Sequence, residues 1–188
     1  MGAPRKLRKK YHGPQHPYNA ERFESELKLV GEYGLRSKKE LYRVNTRLSK
    51  FRTRARTLLA LEEGSENRAH REKLILDRLN VLGVVKSSSF SIDEILNLST
   101  ETFLERRLQT VVFRKGLARS QHMARQLVAH GHIAVDGRRV TVASYHLRAG
   151  EEELVDYAPG SPYFNPEHPM RLALLDSVEA SQEKEEYK

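Results

Sequence analysis

The longest regular pattern in the chain is a run of apolar residues spaced alternately three and four positions apart. It begins just after Ser37, and Glu40 three residues later completes a capping box, in which each side chain bonds a backbone N–H group at the helix start. The spacing places the apolar residues on one face of a helix over about residues 38 to 62. Ser91 and Glu94 repeat the capping pattern before a short helical turn. The members of the long apolar face are Leu41, Val44, Leu48, Phe51, Ala55 and Leu58.

Two further helices are predicted on either side of this one. Asn19 can cap a helix over residues 20 to 33, which Gly34 ends. Residues 66 to 82 form the second, which Gly83 ends. The residues expected to face inward are Phe23, Leu27 and Val30 in the first helix and Ile75, Leu79 and Leu82 in the second.

Residues 103 to 115 combine an apolar face with a basic one, which predicts another helix, ended by Gly116. Its apolar face consists of Leu104, Leu108, Val111 and Val112. The opposite face carries Arg106, Thr110 and Arg114, with Arg107 beside them.

A second helix of the same kind follows at once. Ser120 can cap it and Gly131 ends it. Asp136-Gly137 then predicts a two-residue hairpin turn between short strands. The helix residues expected inward are Met123, Ala124, Leu127 and Val128, and those expected outward are His122, Arg125, Gln126 and Ala129.

These elements predict a mostly helical α+β protein. We expect a helical N-terminal domain and a small domain of two helices packed on a short β-hairpin or sheet, with extended arms at both ends. The predicted divisions are a basic arm at residues 1–18, the helical domain at 19–102, the helix-helix-hairpin module at 103–157 and a Pro-containing acidic tail at 158–188.

Charge indicates a polyanionic partner. The 33 Lys and Arg residues exceed the 25 Asp and Glu residues, giving a net charge of +8. Basic residues concentrate in residues 1–60 and 104–150, whereas residues 151–188 are mainly acidic. Nucleic acid is the partner that this distribution favours.

One basic stripe lies beside the apolar face of the long helix. At 100° per residue, its members fall together, and they are Lys39, Arg43, Arg47, Lys50 and Arg54. A solvated helix face is the ordinary explanation of such a stripe. The near absence of acidic partners along it favours contact with phosphate instead.

The sequence offers no chemistry for catalysis. There is no cysteine, so disulfides, thiolate metal sites and a cysteine nucleophile are excluded. His130 and His132 have no carboxylate or thiol nearby and make a poor metal site. We find no phosphate-binding glycine loop, acid-base pair or Ser-His-Asp pattern, and no apolar run long enough to span a membrane. We therefore expect a cytosolic protein that is not an enzyme and has no cofactor.

The segment FLERRLQTVVFRKGLARSQHMARQLVAHGHIAVDG resembles the RNA-binding domain of the S4 family of small-subunit ribosomal proteins. ELKLVGEYGLRSKKELYRV and the N-terminal PRK-x-RKKY are similar to the archaeal and eukaryotic branch of that family. The resemblance covers about residues 1–157. Some bacterial relatives bind zinc through N-terminal cysteines, which this chain lacks, so no metal is expected.

The resemblance implies a structural constituent of the small subunit body that binds small-subunit rRNA directly and early in assembly. It also implies a position near the mRNA entrance path and against the fifth small-subunit ribosomal protein, where translational accuracy is influenced. The RNA-binding residues implied in the module are Arg106, Arg107, Arg114, Lys115, Arg119, Ser120, Arg125, Gln126, His130 and His132, and the basic hairpin adds Arg138. The tail after Tyr157 lies outside the motif, and we expect an extended strap on a neighbouring protein or on the helical domain.

Two other functions use similar modules. RNA-modifying enzymes such as pseudouridine synthases carry the domain beside a catalytic domain, for which residues 1–102 show no active-site pattern. A DNA-binding helix-turn-helix also needs two helices joined by a glycine-containing link. The hairpin and the arginines on both helices fit folded RNA better.

Overall fold

The computed structural model describes residues 9–62, 64–85 and 91–173. Contacts within it divide the chain into two compact units. The first unit contains Met1–Lys73 and Ser91–Glu101, and the second contains Leu74–Phe90 and Thr102–Lys188. The expected acidic run after residue 173 and the first eight residues of the basic arm lie outside the described residues.

The fold class is α+β and mostly helical, as predicted. The helices are α1 (Ala20–Glu32), α2 (Lys38–Leu59), α3 (Glu66–Val81), α4 (Ile92–Asn97), α5 (Thr100–Glu105), α6 (Leu108–Arg114) and α7 (Gln121–Ala129). The strands are β1 (Ile133–Val135), β2 (Arg138–Arg139) and β3 (Val155–Tyr157), and a 3-10 turn spans Pro162–Phe164.

The first unit is organised on α2. Every predicted member of its apolar face is buried, and α4 packs against it with Ile92 and Ile95 buried. Ser91 Oγ accepts from the N–H of Glu94, which confirms that cap. Ser37 occupies the N-cap of α2, but its side chain makes no capping bond, so the predicted capping box is wrong there.

Helix α1 buries a carboxylate rather than its predicted apolar residues. Asn19 caps it as predicted, accepting from the N–H of Arg22. Phe23 and Leu27 each remain 48% exposed, which corrects their predicted inward position. Glu26 is buried instead, with Lys38 Nζ 3.1 Å from its Oε2.

In the second unit, three antiparallel strands form a sheet with the order β2-β1-β3, and β1 and β3 share one hydrophobic core with α6 and α7. The hairpin turn is the predicted one, because Asp136 and Gly137 both have positive φ, at 51° and 70°. Strand β3 was not predicted, and it pairs Ile133 with Tyr157 across the sheet. The core of the unit includes Leu108, Val112, Leu127, Val128, Ile133 and Leu147.

The single helix predicted over residues 103–115 is wrong, because the chain breaks into α5 and α6 at Arg106 and Arg107. The backbone there is used for pairing with a distant segment. Leu108 N–H donates to Tyr145 O at 2.8 Å, and Leu147 N–H donates to Arg106 O at 3.0 Å. A helix continuing through Arg107 would forfeit this antiparallel bridge.

The segment after β3 packs on the second unit itself. Ala158 N–H donates to His132 O at 2.8 Å, and the Tyr163 ring lies edge-on to His132 and stacked on Tyr157. The strap expected on a neighbour or on the helical domain is therefore, for residues 158–168, part of the second unit.

Candidate nucleic-acid interface

Helix α7 presents the exposed polar surface that its periodicity predicts. Ser120 Oγ accepts from the N–H of Met123 at 3.2 Å, which fixes the N-terminus of α7. Arg119 and Gln126 are exposed, and Arg125 is partly buried with its Nη1 3.4 Å from Gln109 Oε1. The buried Gln109 also donates to Gln121 O, so it connects α6 to the start of α7. These bonds hold the two helices of the module in a fixed relation.

Two exposed cations stand at the C-terminus of α6 and a third on the hairpin. Arg114 Nη2 forms an ion pair with Glu105 at 2.8 Å. Lys115 Nζ donates to the carbonyls of Glu153 and Val155, where it ties the helix end to β3. Arg138 is exposed on the edge strand β2. All three remain accessible to a polyanion, although Arg114 would exchange a surface ion pair for it.

The two arginines at the helix break are directed inward. Arg107, predicted to face outward, is only 2% exposed. Arg106 donates to the carbonyl oxygens of Leu82 and Arg148 and pairs with Glu152. Burial lowers the pKa of the Arg106 guanidinium, an effect that Glu151 opposes. Both side chains serve the interior of the second unit, so their geometry does not favour direct contact with RNA.

The two predicted histidines differ in accessibility. His130 is exposed, and its ring stacks on His132 with the ring centroids 6.3 Å apart. His132 Nδ1 lies 2.9 Å from Ser161 Oγ, which fixes that ring in the strap contact. His130 is thus the one of the pair whose ring faces solvent. Within the described ranges, no cluster of histidine and carboxylate side chains could hold a metal ion.

In the first unit, the five stripe residues are all exposed on α2, as predicted. Among the residues that the structure describes, Lys39, Arg43, Lys50 and Arg54 form no ion pair with a carboxylate. Arg52, on the same helix, donates instead to Leu98 O at 2.7 Å and has a structural role. These four residues therefore offer uncompensated positive charge along α2.

Two basic residues that were not predicted as RNA contacts lie next to the predicted surfaces, one on the hairpin and one against α2. Arg139 is exposed next to Arg138, because β2 is an edge strand with neither face covered. His12 lies against Thr46 on α2, with its N–H donating to the Thr46 hydroxyl. Edge-strand position could have indicated Arg139, but no periodic pattern in the arm signals His12.

The sequence matches known proteins over most of its length. The S4 domain model matches residues 106–153. The small ribosomal subunit protein uS4 of Hyperthermus butylicus is 54% identical over 163 residues, which are 87% of this chain and 91% of the relative. That of Ignicoccus hospitalis is 54% identical over 87% of this chain and 97% of its own length. That of Sulfurisphaera tokodaii is 48% identical over 87% and 91%. The chain belongs to the uS4 family.

The matched S4 domain begins at Arg106 and ends shortly before β3. It includes α6, α7 and the hairpin, which carry the exposed cations described above. Strand β3 and the strap lie beyond the match but complete the packing of the uS4 module. Among the described residues, no helix combines the length and the apolar character needed to cross a membrane.

Proposed function

We propose that this uS4 family member is a structural constituent of the small ribosomal subunit that binds small-subunit rRNA directly. Membership of the family supports the ribosomal role, and the S4 domain supports RNA binding. The observation that carries the proposal is the set of exposed cations on α7, the hairpin and α2, of which several have no carboxylate partner in the described part of the chain. Such groups bind phosphate by forked hydrogen bonds and counterion release.

The proposed contact surface is a revision of the predicted one. In the module, the direct contacts are the exposed side chains Arg114, Lys115, Arg119, Ser120, Gln126, His130 and Arg138 with the partly buried Arg125, and on α2 they are Lys39, Arg43, Arg47, Lys50 and Arg54. His132, Arg106 and Arg107 position this surface. The proposed organisation remains an arm at 1–18, a helical domain at 19–102, the module at 103–157 and a tail at 158–188.

Finer features of the role follow from the family resemblance. We propose that the chain binds early in assembly of the subunit body, contacts the fifth small-subunit ribosomal protein and lies near the mRNA entrance path. Variants at that protein contact are expected to change translational accuracy. Crosslinking from the chain in intact small subunits, read out on both rRNA and protein, tests these positions directly.

The rRNA proposal is tested by removing charge at two exposed module residues. The double variant Arg119→Gln with Arg138→Gln should bind small-subunit rRNA more weakly. Its slope of log affinity against log salt should be shallower by about 1 for each phosphate that the variant no longer binds. The matched control is Lys28→Gln with Lys73→Gln, which removes the same charge from exposed positions outside the module. Equal effects of the two pairs would refute the module surface, and preference for duplex DNA as competitor would favour the helix-turn-helix alternative.

A further inference from the structure

A polar pocket in the first unit lies between α2 and the described end of the N-terminal arm. Its volume is about 320 Å³. Three of its six lining side chains can carry positive charge, three are hydroxyls, and none of the six is a carboxylate. They are His12, Lys50, Arg54, Thr46, Ser49 and Thr53.

Five of these six residues belong to α2, at relative positions 0, 3, 4, 7 and 8. This spacing places them on one helix face over two turns. Thr53 Oγ1 donates to Ser49 O at 2.8 Å, which fixes its orientation. The Ser49 hydroxyl makes no hydrogen bond within the described residues, so it is available as a donor to a ligand.

The arm supplies the sixth residue and is anchored where it does so. The N–H of His12 donates to Thr46 Oγ1 at 3.0 Å, and Thr46 Oγ1 in turn donates to Tyr42 O. The Tyr11 ring stacks on Tyr42, with the ring centroids 6.5 Å apart. The pocket is therefore complete only while the arm lies on α2.

The positive charges in the pocket favour binding of an anion. Lys50 and Arg54 stand one turn apart on the same face, where like charges repel. Neither has an ion pair among the residues described. A phosphate group satisfies both cations and accepts from a hydroxyl, and the guanidinium fork of Arg54 matches its oxygens.

We propose that this pocket binds one backbone phosphate of RNA and thereby couples docking of the arm on α2 to RNA binding. The proposal rests on the proposed function, since it assigns a discrete phosphate site within the surface that contacts rRNA.

The test compares two charge-removing pairs on α2 in the full-length chain. Lys50→Gln with Arg54→Gln removes the pocket cations, and Lys39→Gln with Arg43→Gln removes the same charge at the same spacing outside the pocket. We expect the pocket pair to lose about tenfold or more in affinity for small-subunit rRNA, and the control pair, whose residues contact RNA phosphates separately, to lose at least about threefold less. Equal losses would overturn the pocket while leaving rRNA binding by the stripe intact.

Coupling to the arm is tested without changing charge. Thr46→Val removes the anchor of His12, and Tyr11→Ala removes the ring stack from the arm side, where no helix can be disrupted. Each should weaken rRNA binding several-fold, by analogy with the loss of a hydrogen bond or a stacking interaction. Unchanged affinity in Tyr11→Ala, with the chain folded, would overturn the coupling.

Phosphate binding to the pocket can be measured without rRNA, which separates the pocket proposal from the proposed function. Inorganic phosphate titrated into the full-length chain should give saturable NMR shifts at His12 and Ser49, both in the wild type and in the Lys39 and Arg43 variant. Those shifts should disappear in the Lys50 and Arg54 variant. If the wild type binds phosphate there but not rRNA, the proposed function is wrong; absence of a saturable shift in the wild type would overturn the pocket.

Discussion

At the scale of single residues, the Arg106 side chain has a structural role at the end of α3. Its guanidinium donates to Leu82 O at 3.1 Å and to Arg148 O at 3.1 Å, which belong to segments remote in sequence, and it pairs with Glu152. The fork of donors is what allows one side chain to reach these acceptors together. The exposed Arg119, which has the same chemistry, has no such role in the described structure.

We expect Arg106→Ala to destabilise the chain by about 1 to 3 kcal/mol, because the carbonyl groups of Leu82 and Arg148 lose their charged donor and Glu152 loses its ion pair. Urea unfolding measures this loss. Arg119→Ala is the control, and its unfolding free energy should stay within about 0.5 kcal/mol of the wild type. If the two variants were equally stable, the Arg106 interactions would have no net structural value.

Gly83 lies directly against the Arg106 guanidinium. Its φ is +62°, and a Cβ there would clash with Arg106 Nη2 and Cζ. Gly137 also has positive φ, at +70°, but a Cβ there would meet nothing within 4 Å. Gly137→Ala therefore carries backbone strain alone, of about 1 to 2 kcal/mol, whereas Gly83→Ala adds displacement of Arg106.

We expect the free energy of unfolding, measured by chemical denaturation, to be highest for the wild type, lower for Gly137→Ala and lowest for Gly83→Ala. Combining Gly83→Ala with Arg106→Ala should recover part of the steric loss, because the clashing group is gone. Additive losses in the double variant would contradict the clash.

At the scale of elements, a side-chain hydrogen bond joins β3 to the loop between α6 and α7. Tyr157 is buried on β3 and its hydroxyl donates to Leu117 O at 2.7 Å. Burial raises the pKa of Tyr157 above the usual value of 10.0, which the nearby Arg171 partly offsets. The neutral phenol is thus the form that the folded state prefers.

Tyr157→Phe should cost about 0.5 to 1.5 kcal/mol at neutral pH, because Leu117 O loses its donor. The folded-state pKa is raised, so the contribution of the wild-type phenol is full below the unfolded pKa and falls as pH rises through the folded pKa. Unfolding free energies of the two proteins should therefore converge above about pH 10. Tyr163→Phe is the control, since the Tyr163 hydroxyl has no hydrogen bond within the described residues. If the difference in unfolding free energy between the wild type and Tyr157→Phe widened as pH rises, the role assigned to the Tyr157 phenol would be wrong.

Element prediction succeeded where the signal is local. The apolar spacing of α2, the Ser120 cap and the Asp136-Gly137 turn depend on neighbouring residues, and the structure confirms each. The α5 to α6 break depends on a bridge between Arg107 and His146, which are remote in sequence. No pattern within residues 103–115 indicates that partner, so the periodicity predicted one helix.

At the scale of the whole molecule, the same distinction separates accessible from buried cations. Helical periodicity correctly predicts exposure of the α2 stripe, since the apolar face alone determines it. It fails for Arg107, which is buried where distant segments of the chain meet. For residues 158–168 the strap prediction was wrong for a similar reason, because packing of Tyr163 on His132 and Tyr157 depends on aromatic interactions between segments that are separated in sequence by a hairpin and a strand. RNA binding by the exposed set stays a prediction.

Charge is also divided along the whole chain, with an acidic end opposite in sign to the basic regions that are proposed to bind RNA. Residues 176 to 188 include Asp176, Glu179, Glu183, Glu185 and Glu186. If their effect on rRNA is long-range repulsion, deleting residues 176 to 188 should leave affinity unchanged or raise it slightly at low salt. The gain should vanish at about 0.5 M salt, where the screening length is only a few ångströms. A variant of full length with those five residues changed to Asn or Gln should raise affinity at low salt at least as much as the deletion, because it removes the five negative charges and keeps Lys184 and Lys188. A tenfold loss of affinity on deletion that the neutralised variant does not share would instead indicate that the segment binds a specific partner surface.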